Sequence, residues 1–297
     1  MPEPMTTPRT DVHTHTLETP GAVLTYDVRR PDTAAGPPLL MIGSPMDAGG
    51  FADLATHFTD RTVVTYDPRG VERSTRTDPS AEVTPHDHAD DLHRIIAALG
   101  GGPVDVFASS GGAVNALVLV ATHPDDGRTL VAHEPPAVDV LPDREQALAA
   151  VADIGRTYQA RGFGPAMAKF IALTSHQGPI PDLADLPEPD PAQFGLPADD
   201  DGSRGDPLLE QNLISCTHHR HDLDALRRAP TRVVIGVGAE SAGALTDRTS
   251  AALAEQLGTT AVTFPSHHAG FVADDHGMQG EPEAFAATLR QVLDGDT

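Results

Sequence analysis

The sequence predicts an α/β protein: a mostly parallel, twisted sheet of about eight strands, flanked by helices and interrupted by an inserted helical cap. Short apolar runs, typical of strands buried on both faces, alternate with helical segments in the N-terminal half. The alternation returns near the C-terminus. Between these parts lie helical pieces around a segment rich in Pro and Asp. Because strands separated by helices pair in parallel, the pattern favours a wound sheet.

The elements follow in chain order. An edge hairpin is predicted at 12–17 and 22–28. The continuous apolar runs of the first half predict buried strands at 38–43, 62–67, 104–108 and 129–134, and the helical stretches lie at 50–58, 84–100 and 112–124. The last two strands are expected at 231–238 and 261–265.

The strand pattern stops between the two halves, which predicts three parts: the N-terminal part of a core at 1–135, a helical cap inserted at 136–229 and the C-terminal part of the core at 230–297. The cap should contain helices at 144–161, 164–173 and 208–215. Its segment 181–206 holds eight acidic residues and one basic residue, which is typical of an exposed loop.

Charge narrows the range of partners. The chain carries 43 acidic and 20 basic residues, a formal net charge of −23, and Lys169 is its one lysine. A phosphate backbone or an anionic lipid surface would repel such a protein. We therefore expect a small-molecule substrate as partner and neither nucleic acid nor membrane, while a homodimer stays open.

Cysteine content and the N-terminal sequence bear on the compartment. Cys216 is the only cysteine, so no disulfide can form within the chain. The first 21 residues lack the charged and then apolar pattern of a signal peptide, and no apolar run reaches the ~18 residues of a membrane span. We expect a cytoplasmic protein.

A serine lies where the strand at 104–108 gives way to a helix. A serine becomes a nucleophile when a base takes its proton and when a sharp turn projects it. Such a turn needs small residues two positions before and after, and Ala108 and Gly112 supply them around Ser110. Gly111 would offer its N–H to an oxyanion. Alternatively, these serines and glycines only cap the helix.

The surroundings of Ser110 resemble a known family. The segment resembles the nucleophile elbow of the α/β-hydrolase fold, in its capped, serine-nucleophile branch with actinobacterial-type esterases and lactonases. "LLMIGSPMDAGGF" resembles the family's oxyanion loop, "YDPRGVERS" its Asp-x-Arg-Gly turn and "FPSHHAGF" its histidine loop. The resemblance implies that Ser44 provides the second oxyanion N–H.

The chain also departs from the family pattern. Ala108 replaces a common glycine, Ile42 stands where the oxyanion loop often has His, and Glu72 replaces a glycine of the turn. None of these changes removes a catalytic group. The elbow has no aspartate nucleophile, which argues against the dehalogenase and epoxide-hydrolase branches, because those enzymes attack an alkyl carbon through Asp.

The resemblance implies a catalytic triad of serine, histidine and a carboxylate, and it leaves open which histidine and which glutamate complete the triad. His268 is the expected base, because the small and aromatic residues that follow it match the family, and His267 is the alternative. The usual position of the acid holds Ser241, so two glutamates compete. Glu134 ends a predicted strand, as in zearalenone-lactonase-like branches, and is preferred over Glu240. A carboxylate is needed to orient the imidazole.

The resulting expectation is a cofactor-free serine hydrolase that acts on an ester or lactone of a small, apolar molecule. Two alternatives are a binding protein with a silent triad and a carbon–carbon bond hydrolase. The cap residues expected to line the pocket are Phe163, Met167, Phe170, Ile171 and Leu173. No metal is expected, because the His-rich tracts at 85–93 and 217–222 lack a HExxH or CxxC pattern.

Overall fold

A computed structural model describes residues 11–185, 187–275 and 277–295. Its main element is a mixed sheet of nine strands with the order β1-β2-β4-β3-β6-β7-β8-β9, and β5 pairs with β2. The strands are β1 (Asp11–Thr19), β2 (Ala22–Arg30), β3 (Leu39–Ile42), β4 (Val63–Asp67), β5 (Thr75–Arg76), β6 (Val104–Ser109), β7 (Gly127–His133), β8 (Arg232–Gly238) and β9 (Val262–Phe264). A separate ribbon joins β10 (Asp274–Asp275) to β11 (Met278–Gln279).

Helices cover the sheet and form the inserted region. The α-helices are α1 (Ala52–Thr56), α2 (Pro85–Ala98), α3 (Gly111–Thr122), α4 (Arg144–Arg161), α5 (Phe163–Ser175), α6 (Leu213–Thr217), α7 (Leu223–Arg228), α8 (Leu245–Gln256) and α9 (Pro282–Asp294). Short 3₁₀ turns occupy Ala48–Phe51, Val138–Val140, Leu183–Asp185 and Pro191–Phe194, and a π-helical turn, Leu208–Asn212, leads into α6.

The apolar runs predicted as buried strands form the centre of the sheet. All residues of β3, β4 and β6 are buried. Side chains alternate between two core clusters, because neighbouring residues of a strand point to opposite faces. In β3, Leu40 and Ile42 join the cluster under α2 and α3, whereas Leu39 and Met41 join the cluster under α1 and α9.

The central strands run in parallel and in register, which fixes what lies at their carboxyl ends. Ser109 of β6 is level with His133 of β7, and His133 is level with Gly236 of β8. On the other side, Ile42 of β3 is level with Ala108 of β6. The loops after β3, β6, β7 and β8 therefore begin side by side at one edge of the sheet.

The region predicted as a cap is helical. Helices α4 and α5 and the π-helical turn share an apolar cluster that is separate from the two sheet clusters. The acidic segment forms two 3₁₀ turns, and its Glu188 makes ion pairs with Arg161 and Lys169. Leu226 of α7 packs in the cluster under α3 instead, so this part of 136–229 contacts the core. The predicted domain division otherwise stays a prediction.

Several predicted helices differ in length or type. The helix expected at 50–58 is a 3₁₀ turn followed by the five residues of α1. The helix expected at 208–215 starts as a π-helical turn, because the Leu213 N–H bonds the carbonyl of Leu208 five residues earlier. The ribbon of β10 and β11 and the two-residue strand β5 are additions, too short for periodicity to detect.

No helix within the described residues is long and apolar enough to cross a membrane.

The start of α3 touches the loop after β3 through backbone atoms. A methyl group on Gly112 would lie 2.7 Å from the Gly43 Cα and 2.8 Å from the Ile42 carbonyl oxygen. Since neither backbone can move without shifting a central strand, we expect Gly112→Ala to lower the free energy of unfolding by about 1–3 kcal/mol. Denaturant unfolding followed by circular dichroism measures this change. Gly205→Ala is the control, because a methyl group there meets nothing within 4 Å; equal effects would contradict the expectation.

Candidate active site

The backbone of Ser110 is strained at the junction of β6 and α3. Its dihedral angles are φ 56° and ψ −127°, a combination that side chains disfavour. The Ser110 N–H donates to the His133 carbonyl at 2.9 Å, and the Ser110 carbonyl accepts from Ala113. Such conformations cost about 1–3 kcal/mol and persist where the surroundings enforce them, often at functional sites. The turn predicted around Ser110 is present, and the side chain is half-buried.

The two residues predicted as oxyanion donors are neighbours. A methyl group on Gly111 would lie 2.5 Å from the Ser44 carbonyl oxygen, so the loop after β3 lies directly against the start of α3. As the first residue of α3, Gly111 has an N–H that no carbonyl of its own helix can accept. Both residues also line one cavity with Ser110. Their role in binding an oxyanion stays a prediction.

The turn that resembles the family's Asp-x-Arg-Gly motif has a structural task. One carboxylate oxygen of Asp67 accepts the Ala48 N–H at 3.0 Å, at the start of the 3₁₀ turn after the oxyanion loop. The other accepts the Arg73 Nε–H at 2.6 Å. Glu72, which replaces a family glycine, lies within this turn with φ 45°. Asp67 thus ties the oxyanion loop to β4, while Arg73 neutralises its charge.

Glu134 and His268 form the central polar contact. The Glu134 Oε2 lies 2.5 Å from the His268 Nδ1. The Thr246 hydroxyl also donates to Oε2, at 2.7 Å, and the Gly238 N–H donates to Oε1, at 2.8 Å. Burial by itself would raise the pKa of the Glu134 carboxyl, but the hydrogen bond and charge of His268 hold it well below its usual range. The carboxylate is fully buried, ionised and fixed by three donors.

The competing residues, Glu240 and His267, line the same cavity as Ser110 but make different contacts. Glu240 is exposed and holds its loop through a backbone bond, because its N–H donates to the Ser266 carbonyl at 3.0 Å. The His267 Nδ1 accepts the Ala269 N–H at 3.2 Å, whereas His268 contacts Glu134. Among the alternatives left open by the sequence, the geometry therefore favours Glu134 and His268. The catalytic assignment of these residues stays a prediction.

Sequence reasoning missed two side chains of the site. Thr246, at the start of α8, supplies a donor to Glu134. Asn212, at the end of the π-helical turn, donates from Nδ2 to the Ser44 hydroxyl at 2.5 Å. Both lie far along the chain from their partners, so no local pattern identifies them. Ser241, at the usual position of the acid, is buried near the same place and lines the cavity.

A buried histidine lies beneath the site. The His133 ring is fully buried and packs against Phe264 and Phe285, with ring centroids 5.5 and 5.2 Å away. Burial lowers the pKa of His133 to about 4, so this imidazole is neutral at neutral pH. It therefore adds no charge beside Glu134.

Ser110, His268 and the loop after β3 line a cavity of about 370 Å³, together with residues of α5, α6 and α8. Its apolar walls are Pro136, Val151, Phe170, Leu173, Leu208, Leu213, Leu245, Ala269 and Met278. Of the five cap residues expected in the walls, Phe170 and Leu173 line it. The expectation was wrong for Phe163, Met167 and Ile171, which are not among the lining residues. These three are spaced four apart on α5, so they share a stripe that faces another direction.

The cavity also contains the single cysteine. Cys216 lies under Gly111, whose added methyl group would be 3.1 Å from the sulfur. Burial raises the pKa of the Cys216 thiol to about 12. The thiol is protonated at neutral pH and is a poor nucleophile.

The two His-rich tracts singled out in the sequence meet, with the His86 and His219 ring centroids 5.5 Å apart. Within the described ranges, one group has donor atoms within 4.8 Å of one another: His93, His123 and Asp126. Each imidazole there contacts a carboxylate, Asp126 at 2.7 Å and Asp90 at 3.2 Å. The two rings stack in parallel with centroids 4.0 Å apart, so one ion could not lie in both ring planes. This arrangement fits two histidine–carboxylate pairs better than a metal site.

Comparison with known proteins identifies relatives that cover most of the chain. The model of the alpha/beta hydrolase fold family matches residues 38–202. A curated protein, the uncharacterized hydrolase YraK of Bacillus subtilis (strain 168), is 29% identical over 266 residues, which cover 88% of this chain and 91% of that protein. This relative extends the similarity beyond the region that the family model matches.

Solved structures share the fold at lower identity. A thermophilic esterase from Thermogutta terrifontis, with malate bound, has a TM-score of 0.64 and 18% identity, and the match covers 96% of this chain and 98% of that one. A mutant of the N-acyl homoserine lactonase AidH, complexed with N-hexanoyl homoserine, has a TM-score of 0.60 and 18% identity, covering 95% and 96%. At this identity the likeness concerns the fold.

We expect the buried thiol to resist alkylation in the folded protein. Iodoacetamide at pH 8 should leave Cys216 unmodified, because burial and the raised pKa keep the thiolate scarce. Intact mass spectrometry should show one adduct only after unfolding in guanidinium chloride. Cys216→Ser, which should stay unmodified in both states, is the control. Rapid alkylation of the folded protein would show that the thiol is accessible and reactive.

Proposed function

The chain belongs to the alpha/beta hydrolase fold family, and we propose that this hydrolase cleaves a carboxylic ester or lactone of a small, largely apolar molecule through an acyl-enzyme on Ser110. One observation carries the proposal. Ser110 lies at a strained turn and lines the same cavity as His268, and the Nδ1 of His268 contacts the buried Glu134. This combination matches a nucleophile, a base and an orienting carboxylate.

The proposed reaction has two stages. The Ser110 Oγ attacks the acyl carbon while His268 Nε2 takes its proton, and the N–H groups of Ser44 and Gly111 receive the developing oxyanion. His268 then gives the proton to the leaving oxygen, and the carbon–oxygen bond breaks to form the acyl-enzyme. A water molecule, deprotonated by His268, attacks this ester. The Ser110 hydroxyl is restored as the carboxylic acid leaves.

Two features support an ester or lactone over other acyl compounds. The cavity walls are mainly aliphatic, which suits an alkyl or acyl chain, and the polar groups cluster at Ser110 and His268. The solved esterase and lactonase with the same fold act on bonds of this class, as their names state. The contact of Glu134 with His268 weakens the argument for a silent triad, because the missing carboxylate at Ser241 is replaced.

Covalent labelling tests the nucleophile. We expect a fluorophosphonate probe to add once to the wild-type protein and not to Ser110→Ala, because only an activated serine attacks the phosphorus. Intact mass spectrometry measures the adduct. Ser109→Ala is the matched control, since this neighbouring serine is buried, and it should still be labelled. An unlabelled wild-type protein, or an adduct on Ser110→Ala, would overturn the assignment.

Two matched substitutions test the acid. Glu134→Gln keeps the shape but removes the charge that orients His268, so we expect kcat for a neutral ester such as 4-nitrophenyl butyrate to fall about 10²- to 10⁴-fold. Glu240→Gln should lower kcat less than about tenfold, because the carboxylate that lies against the His268 Nδ1 is that of Glu134. Circular dichroism checks that both variants are folded. The reverse ranking would make Glu240 the acid.

A further inference from the structure

The cavity has an unequal distribution of charge. Among the residues that line it in the described parts of the chain, Glu240 is the one carboxylate and none is Arg or Lys. The Glu240 carboxylate makes no hydrogen bond or ion pair with another described residue. A substrate carboxylate in this cavity would therefore meet a negative group and no Arg or Lys side chain of the described lining.

Burial separates the two ends of the cavity. Its closed end is formed by buried residues, including Val151, Cys216 and Leu245. Its open end is next to Glu240, which is exposed, and His268, whose side chain is 43% exposed. The Glu240 N–H bonds the Ser266 carbonyl, which places the two loops of the open end side by side.

The proposed chemistry decides which part of a substrate lies at each end, so this step rests on the proposed function. His268 gives a proton to the leaving oxygen, so the alcohol portion of an ester must lie beside His268 at the open end. The acyl portion then lies against the apolar walls of the closed end. Glu240 faces the alcohol portion.

We propose that Glu240 is a specificity-determining residue that favours esters whose alcohol portion carries a positive charge, such as a quaternary or protonated amine. Its carboxylate would pair with that cation at the open end of the cavity. The net charge of −23 acts in the same direction, since it attracts cations and repels anions before they reach the site. Esters with a carboxylate in the alcohol portion are the disfavoured class.

Two esters of the same shape show the effect of a positive charge in the alcohol portion. Butyrylcholine and 3,3-dimethylbutyl butyrate differ in having a quaternary nitrogen or a carbon at one position. Each has about a dozen non-hydrogen atoms, which suits the cavity of about 370 Å³ at roughly 30 Å³ per atom, the share of a water molecule in the liquid. The ratio of their kcat/KM values, measured by pH-stat titration at low salt, reports the preference for the cation.

We expect the wild-type protein to favour butyrylcholine about fivefold, as for one solvent-exposed ion pair. In Glu240→Gln the ratio should fall to the smaller preference that the remaining net charge gives, through a higher KM for butyrylcholine. Glu255→Gln is the control for net charge, because Glu255 is exposed at the far end of α8, and it should keep the wild-type ratio. A wild-type ratio of one or less, or a ratio that Glu240→Gln leaves unchanged, would overturn the proposal.

Binding separates this proposal from the proposed function. Calorimetric titration of Ser110→Ala with both esters compares their Kd values without turnover. Hydrolysis of both esters with no preference, and equal Kd values, would contradict the role of Glu240 and leave the hydrolase function intact. The opposite outcome is also informative. If Ser110→Ala binds butyrylcholine more tightly, Ser110→Ala/Glu240→Gln loses this preference and the wild type hydrolyses neither ester, the role of Glu240 is supported and the esterase function is contradicted.

Discussion

The in-register pairing of the parallel strands β3, β6, β7 and β8 determines where four groups of the site lie. Each strand contributes one residue at or just after its end: Ser44 after β3, Ser110 after β6, Glu134 after β7 and Gly238 as the last residue of β8. A shift of one residue in β7 would turn the Glu134 side chain to the opposite face of the sheet. The continuous apolar sequences of these strands, which bury both faces, resist such a shift because it would disturb two cores at once.

A second constraint is the buried charge of Glu134. An ionised carboxylate away from water is unfavourable unless it is paired and fully hydrogen-bonded. Here a backbone N–H, a hydroxyl and an imidazole satisfy it, and they come from the end of β8, from α8 and from the loop after β9. The carboxylate therefore joins α8 and the loop after β9 to the sheet. This gives His268 a defined orientation although its side chain is partly exposed.

Much of the fold could be predicted from sequence because periodicity and turn chemistry are local. The buried strands and the elbow at Ser110 follow from apolar runs and from small residues at fixed positions. The choice between Glu134 and Glu240 could not be made in this way. It depends on whether Glu134, 134 residues before His268, lies close to it in the fold. The same limit applies to Thr246 and Asn212. The prediction of the residues that line the cavity was partly wrong, because the apolar residues of α5 face two directions. The sequence does not say which of these two stripes meets the cavity.

The location of Ser241 bears on how the position of the carboxylate beside the imidazole could change during evolution. Ser241 lies beside the Gly238 that bonds Glu134, at the position where the family resemblance would place a carboxylate, and a methyl group on Gly238 would be 3.0 Å from the Ser241 hydroxyl. The ends of β7 and β8 thus offer two neighbouring positions from which a carboxylate side chain can approach the same imidazole. A lineage that acquires the second carboxylate before losing the first passes through a form with both. In such a lineage the carboxylate that contacts the imidazole moves between strands without a stage that lacks this contact.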